Sequence, residues 1–144
     1  MDNDAEAATS RLMESMSALA DVLDAENRAL AAVDYVASER LATAKQRAIA
    51  TLEAAVEAMP VHADGGLAGG GKAVRADLHA AQTRLAAALA ENRTRLAEAI
   101  AIQQRAIGTV LAAAGEQTER RQYGPRTDAE PTGSIRGVAI TTRA

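Results

Sequence analysis

An all-α fold, a long antiparallel two-helix hairpin of coiled-coil type with a flexible C-terminal tail, is predicted by three features of this 144-residue sequence. Apolar residues recur at steps of three and four along two long stretches, which is the helical period. A Gly-rich segment separates the two stretches. About a quarter of the residues are alanine, with no Phe, no Trp and two Tyr, so the chain lacks the large side chains that fill a multilayered interior and suits close helix-on-helix packing instead.

The first stretch runs from about residue 4 to residue 59, with Leu12, Met16, Leu19, Leu23, Leu30, Val33, Ala37, Leu41, Ala44, Ala48, Leu52, Ala55 and Met59 on one stripe. Asp2, Asp4 and Glu6 put negative charge at the end that the helix dipole favours. Pro60 disfavours helical geometry at Met59, so the element should stop there. One unbroken helix of this length would extend about 80 Å. The segment 60–71, "PVHADGGLAGGG", reads as the connecting loop. The period resumes at Lys72 with Val74, Leu78, Ala81, Leu85, Leu89, Leu96, Ile100, Ile107, Val110 and Ala114, giving a second helix over about 72–121. Residues 1–124 therefore form the expected hairpin domain. Residues 125–144, rich in Pro, Gly and Thr without helical pattern, are expected to be disordered.

Charge supports the pairing. Residues 1–59 carry eleven acids against five bases, whereas residues 72–115 carry three acids against six bases, so opposite charges should face each other. Folding about the loop centre pairs positions whose numbers total roughly 131, placing Glu26 near Arg105 and Glu39–Arg40 near Asn92. Asn92 would then be a polar position in an apolar seam, a device that fixes register at some cost in stability.

Several function classes find little support. A net charge of −3 lacks the basic excess of a nucleic-acid binder. No run approaches the roughly 18 apolar residues of a membrane span, and "MDNDAEAATS" has neither the basic start nor the apolar stretch of a signal peptide. Without cysteine there is no thiolate chemistry, in keeping with a cytoplasmic location. "GLAGGGKA", Gly66 to Ala73, has the spacing of a phosphate-binding loop, but Ala73 replaces the Ser or Thr that would hold magnesium and no strand precedes it. A hairpin loop is the plainer reading. His62 and His79 have no partners at metal-ligand spacing. No nucleophile, base and orienting group can be recognised, so the chain is not expected to be an enzyme or to need a cofactor.

The second helix carries more apolar surface than one partner helix covers. Leu78, Leu85, Leu96 and Ile107 mark one seam, while Leu89, Ile100 and Leu111 lie to one side of it. Leu89, Ile100, Ile107 and Leu111 are therefore candidate contacts for a further helix from another protein or a second copy; a wider internal seam is the alternative. Tyr123, just before Gly124 and Pro125, is a ring outside any core and, with Arg120 and Arg121 before it, a candidate interface anchor.

"LADVLDAENRALAAVDYVASERLATAKQRAIATLE", with Glu26 followed by Leu30 and Lys45 after Leu41, resembles the FlgN family of flagellar export chaperones, as does "LAAALAENRTRLAEAIAIQQRAIGTVLAA" with Asn92 before Leu96 and the later Tyr123–Gly124 pair. The likeness spans Leu12 to Gly124. It implies a cytosolic chaperone that binds the C-terminal helical segments of the hook-associated proteins FlgK and FlgL, keeps these hook-filament junction proteins from assembling early, and delivers them to the export gate protein FlhA. The site residues follow from joining the two readings: Leu89, Ile100, Ile107 and Leu111 for the client, and Tyr123 with Arg120 and Arg121 for the gate. Contacts that family members place on a third helix beyond this point are not carried over, because "GPRTDAEPTG" has no helical pattern. Such a chaperone needs no nucleic acid and no membrane insertion, and is a monomer or weakly self-associating when alone. The alternative is a homo-oligomeric coiled-coil scaffold or spacer.

Overall fold

A computed structural model describes residues 2–60 and 71–124. Most of the expected loop and all of the expected disordered tail lie outside the described residues. The described chain is helical throughout, with no strand: α1 (Asp2–Ala31), α2 (Tyr35–Arg40), α3 (Ala42–Glu57) and α4 (Lys72–Gln122). It divides into two units, residues 1–105 and 106–144.

The expected single helix over 4–59 is not what forms. It stops at Ala31, and the chain turns through Ala32–Asp34 before helix resumes. The Val33 N–H donates to the Leu30 carbonyl at 3.0 Å and the Asp34 N–H to the Ala29 carbonyl at 2.8 Å. This pair of bonds is a Schellman ending, in which the residue after the helix is left-handed. That residue is Val33, with φ of 58°. Asp34 then starts the next helix: its side-chain Oδ1 accepts from the Ala37 N–H at 3.0 Å, satisfying one of the donors left open at a helix N-terminus. Asp34→Ala should lower stability by about 1 kcal/mol, read as an earlier midpoint in urea unfolding; an unchanged midpoint would mean that the cap is not what holds this turn.

Leu41 barely interrupts α2 and α3. Its backbone stays near helical values and its carbonyl accepts from the Lys45 N–H at 2.9 Å. The second rod ends at Glu57, shortly before Pro60, as the proline rule expects.

The break changes the architecture of the first unit from two rods to three. Glu26 on α1 bonds Lys45 on α3, and Lys45 reaches Asn92 on α4. Arg84 on α4 pairs with Asp21 and Asp24 of α1, while Asn27 meets the Ala88 carbonyl farther along both helices. So α1 and α4 run parallel and α3 runs antiparallel to both. The expected register falls with the hairpin: Glu26 pairs with Lys45 and Asn92 instead of Arg105, and Asn92 receives Lys45 instead of the Glu39–Arg40 region. The physical reason is coverage, because a third rod lets three apolar stripes share one core.

That core comprises Ala8, Leu12, Met16, Leu19, Ala20 and Leu23 of α1, Met59, and Leu78, Leu85 and Ala88 of α4, with Leu52, Ala48 and Ala55 half-buried against it. Among the described residues Leu23 is the one large side chain that is fully buried, consistent with a core in which alanines let backbones approach. The buried hydroxyls of Thr9 and Ser15 donate to the carbonyls of Ala5 and Arg11 one turn back, so no polar atom is stranded among the described buried side chains.

Above this apolar layer sits a polar one. Glu26, Asn27 and Asn92 are each about 95% buried. The Lys45 Nζ donates to Glu26 Oε2 at 2.7 Å, the Asn92 Nδ2 donates to Glu26 Oε2 at 2.7 Å and to Asn27 Oδ1 at 3.0 Å, and the Asn27 Nδ2 donates to the Ala88 carbonyl at 3.2 Å. Sliding any helix by one turn would strand several of these groups, so the layer fixes the register of all three rods.

Candidate functional site

In the first unit the buried positions of α4 are Leu78, Leu85, Ala88, Asn92 and Ala99. They recur at helical spacing because one face of α4 lies against α1 and α3. Leu89 and Ile100 each stand one residue past a member of that face, Ala88 and Ala99, which rotates them to its edge. Both are about half exposed, as is Ile102 nearby. Leu96, expected in the seam, is half-buried.

In the second unit every described residue is exposed. Ile107, expected in the seam, is instead 60% exposed because no described residue of this unit is buried, and Val110 and Leu111 are each 67% exposed. Spacings of three and four put these side chains on one side of the helix. The same segment contains Gly108 and Gly115, where an added Cβ would meet nothing. Each glycine disfavours helix by about 1 kcal/mol relative to alanine, so this part of α4 carries apolar surface on a backbone with little support of its own.

Tyr123 follows the end of α4, and its N–H donates to the Glu119 carbonyl at 3.0 Å. The ring is 86% exposed. Arg120 and Arg121 occupy the last turn, exposed, where positive charge suits the helix C-terminus. The three gate-docking candidates are thus adjacent and accessible within the second unit.

Lys72 opens α4 and is exposed, and the described element that precedes it in the chain is the helix α3. Gly66 and His62 lie outside the described residues. His79 is exposed, and its carbonyl accepts from the Thr83 hydroxyl. Among the described residues no group of three or more His, Cys, Asp or Glu gathers to hold a metal, and no helix is long and apolar enough to cross a membrane.

Two features escaped the sequence reading. One is the Glu26–Lys45 ion pair, which requires the turn at Val33. The other is a groove of about 470 Å³ between α1 and α3, lined by Arg11, Ser15, Ala18, Thr51, Ala55 and Ala58 among others. Small residues at one-turn spacing beside the apolar stripe were its available signal. Arg84 bears on the electrostatics of the α1–α4 contact: the hydrogen bonds it donates to Asp21 and then to Asp24 raise its pKa above the ordinary arginine value, so it stays charged.

Compared with protein-family models, with curated proteins and with solved structures, the chain matches none.

Proposed function

We propose that this chain is a cytoplasmic export chaperone of the FlgN type, which holds the C-terminal helical segments of hook-filament junction proteins such as FlgK and FlgL, prevents their early assembly and passes them to the gate protein FlhA. The observation that carries this reading is the set of aliphatic side chains Ile107, Val110 and Leu111, on one side of the last part of α4 and more than half exposed. An amphipathic client helix needs such a stripe to bury its own apolar face, and its release needs no nucleotide because the contact is reversible. On this reading the chain works as a binding protein.

Sedimentation of the full chain, alone and with the purified C-terminal segment of a junction protein, tests the reading. A defined complex with the client is expected. Failure to bind any junction-protein segment, together with open-ended growth of the chain alone as concentration rises, would favour the homo-oligomeric scaffold.

Gate delivery is assigned to the other exposed feature of the second unit, Tyr123 with Arg120 and Arg121. An exposed ring with an apolar body and a hydroxyl tip loses most of its hydration only in a partner's pocket. Tyr123→Ala should weaken gate binding by about 2 kcal/mol, roughly thirtyfold, with client affinity unchanged. Equal gate affinity in the variant would remove Tyr123 from the docking site.

A further inference from the structure

We propose that Ala32–Asp34 is a hinge through which α1 opens and exchanges with α1 of a second copy, giving a swapped dimer in which α1, α2 and α3 join into one continuous helix. The first observation is the backbone of Val33. Its φ of 58° belongs to the left-handed region, where a β-branched residue is an outlier and glycine is the usual occupant. The closed turn therefore holds strain that a straightened helix releases.

The second observation is that nothing in the sequence requires the turn. Residues 1–59 contain neither Gly nor Pro. The apolar period continues across the break through Leu30, Val33, Ala37 and Leu41, so the same residues would form one amphipathic helix if α1 swung away. Only the packing of α1, its Schellman ending and the Asp34 cap keep the closed form.

Register supplies the third observation and names the occupant. The α1–α3 pair is antiparallel, and the Glu26–Lys45 bond sets facing positions whose numbers total about 70. Two straightened copies laid antiparallel in that same register have their two-fold axis beside Tyr35–Val36. Each α1 then lies on the partner copy's α3 with every facing pair of the closed form preserved. Near the axis Leu30 comes opposite Leu41, and Val33 opposite Ala37–Ser38. Val33 and Val36, 56% and 60% exposed in the closed form, thereby gain cover that the monomer does not give them. A second copy of this chain fits because its own register matches, and swapping reuses an existing interface at low cost. The inference is independent of what docks on α4.

The test uses the full chain refolded at high concentration, with monomer and dimer separated by size exclusion and identified by light scattering. A discrete dimer that reverts slowly on dilution is expected. Val33→Gly removes the strain of the closed turn and should lower the dimer fraction about tenfold, whereas Asp34→Ala removes the cap and should raise it. The chain has no cysteine, so the pair Ala18→Cys and Thr51→Cys reports the exchange directly: its disulfide should link two chains in the dimer and close within one chain in the monomer. Absence of any discrete dimer, a dimer fraction indifferent to both hinge variants, or a dimer whose disulfides all close within single chains would overturn the proposal.

Discussion

Lys45→Met is expected to lower unfolding stability by about 3 kcal/mol, the low end of the loss seen when one partner of a buried ion pair is removed. Glu26 is almost fully buried and its Oε2 accepts from both Lys45 and Asn92. Taking away the ammonium leaves a carboxylate with one neutral donor and little access to water. The Lys45 side chain is about a quarter exposed, which is why the loss should sit at the low end. The paired change, Glu26→Met with Lys45→Met, leaves no buried charge and should recover most of the stability. Urea unfolding followed by helical circular dichroism checks both. The decisive quantity is the coupling between the two substitutions; simple addition of two losses would show that the pair does not act as a unit.

Replacing Ile107 and Leu111 together by Gln should weaken client binding by several kcal/mol, since an aliphatic anchor contributes about 1.5–3 kcal/mol when fully buried. That is more than a hundredfold in affinity. The fold should survive, because both side chains are already more than half exposed and glutamine forms helix at least as well as isoleucine. Calorimetric titration of the folded variant with the client segment is the measurement. Parent-like affinity would move the client elsewhere, with the groove between α1 and α3 the next surface to test.

Much of this surface was legible in the sequence because exposure on a helix follows from period. Leu89 and Ile100 fall beside the buried positions of α4 and emerge exposed, and Leu111, farther along the helix, is exposed as well. Asn92 stood out as a polar residue within an apolar seam, and it is buried among polar partners. The break at Ala32–Asp34 was not legible. Local pattern favours continued helix there, and the usual mark of a Schellman ending, a glycine, is replaced by Val33. Tertiary packing decides the matter: turning at Val33 lets α1 and α3 both lie on α4, and Leu23 becomes fully buried. Once the turn is missed the register must also be missed, because Glu26 and Lys45 would lie 19 residues apart along one rod. Asp34, a helix-capping residue in the midst of an apolar period, was the one local hint.

Amide hydrogen exchange along α4, in the full chain with and without the C-terminal segment of a junction protein, tests the proposed function most directly. In the free chain the amides of residues 106–122 should exchange fast, because no described residue there is buried and two glycines weaken the helix. Binding should protect them strongly, most of all around Ile107 to Leu111. A client that binds while leaving these amides as fast as before, with protection confined to α1 and α3, would contradict the account.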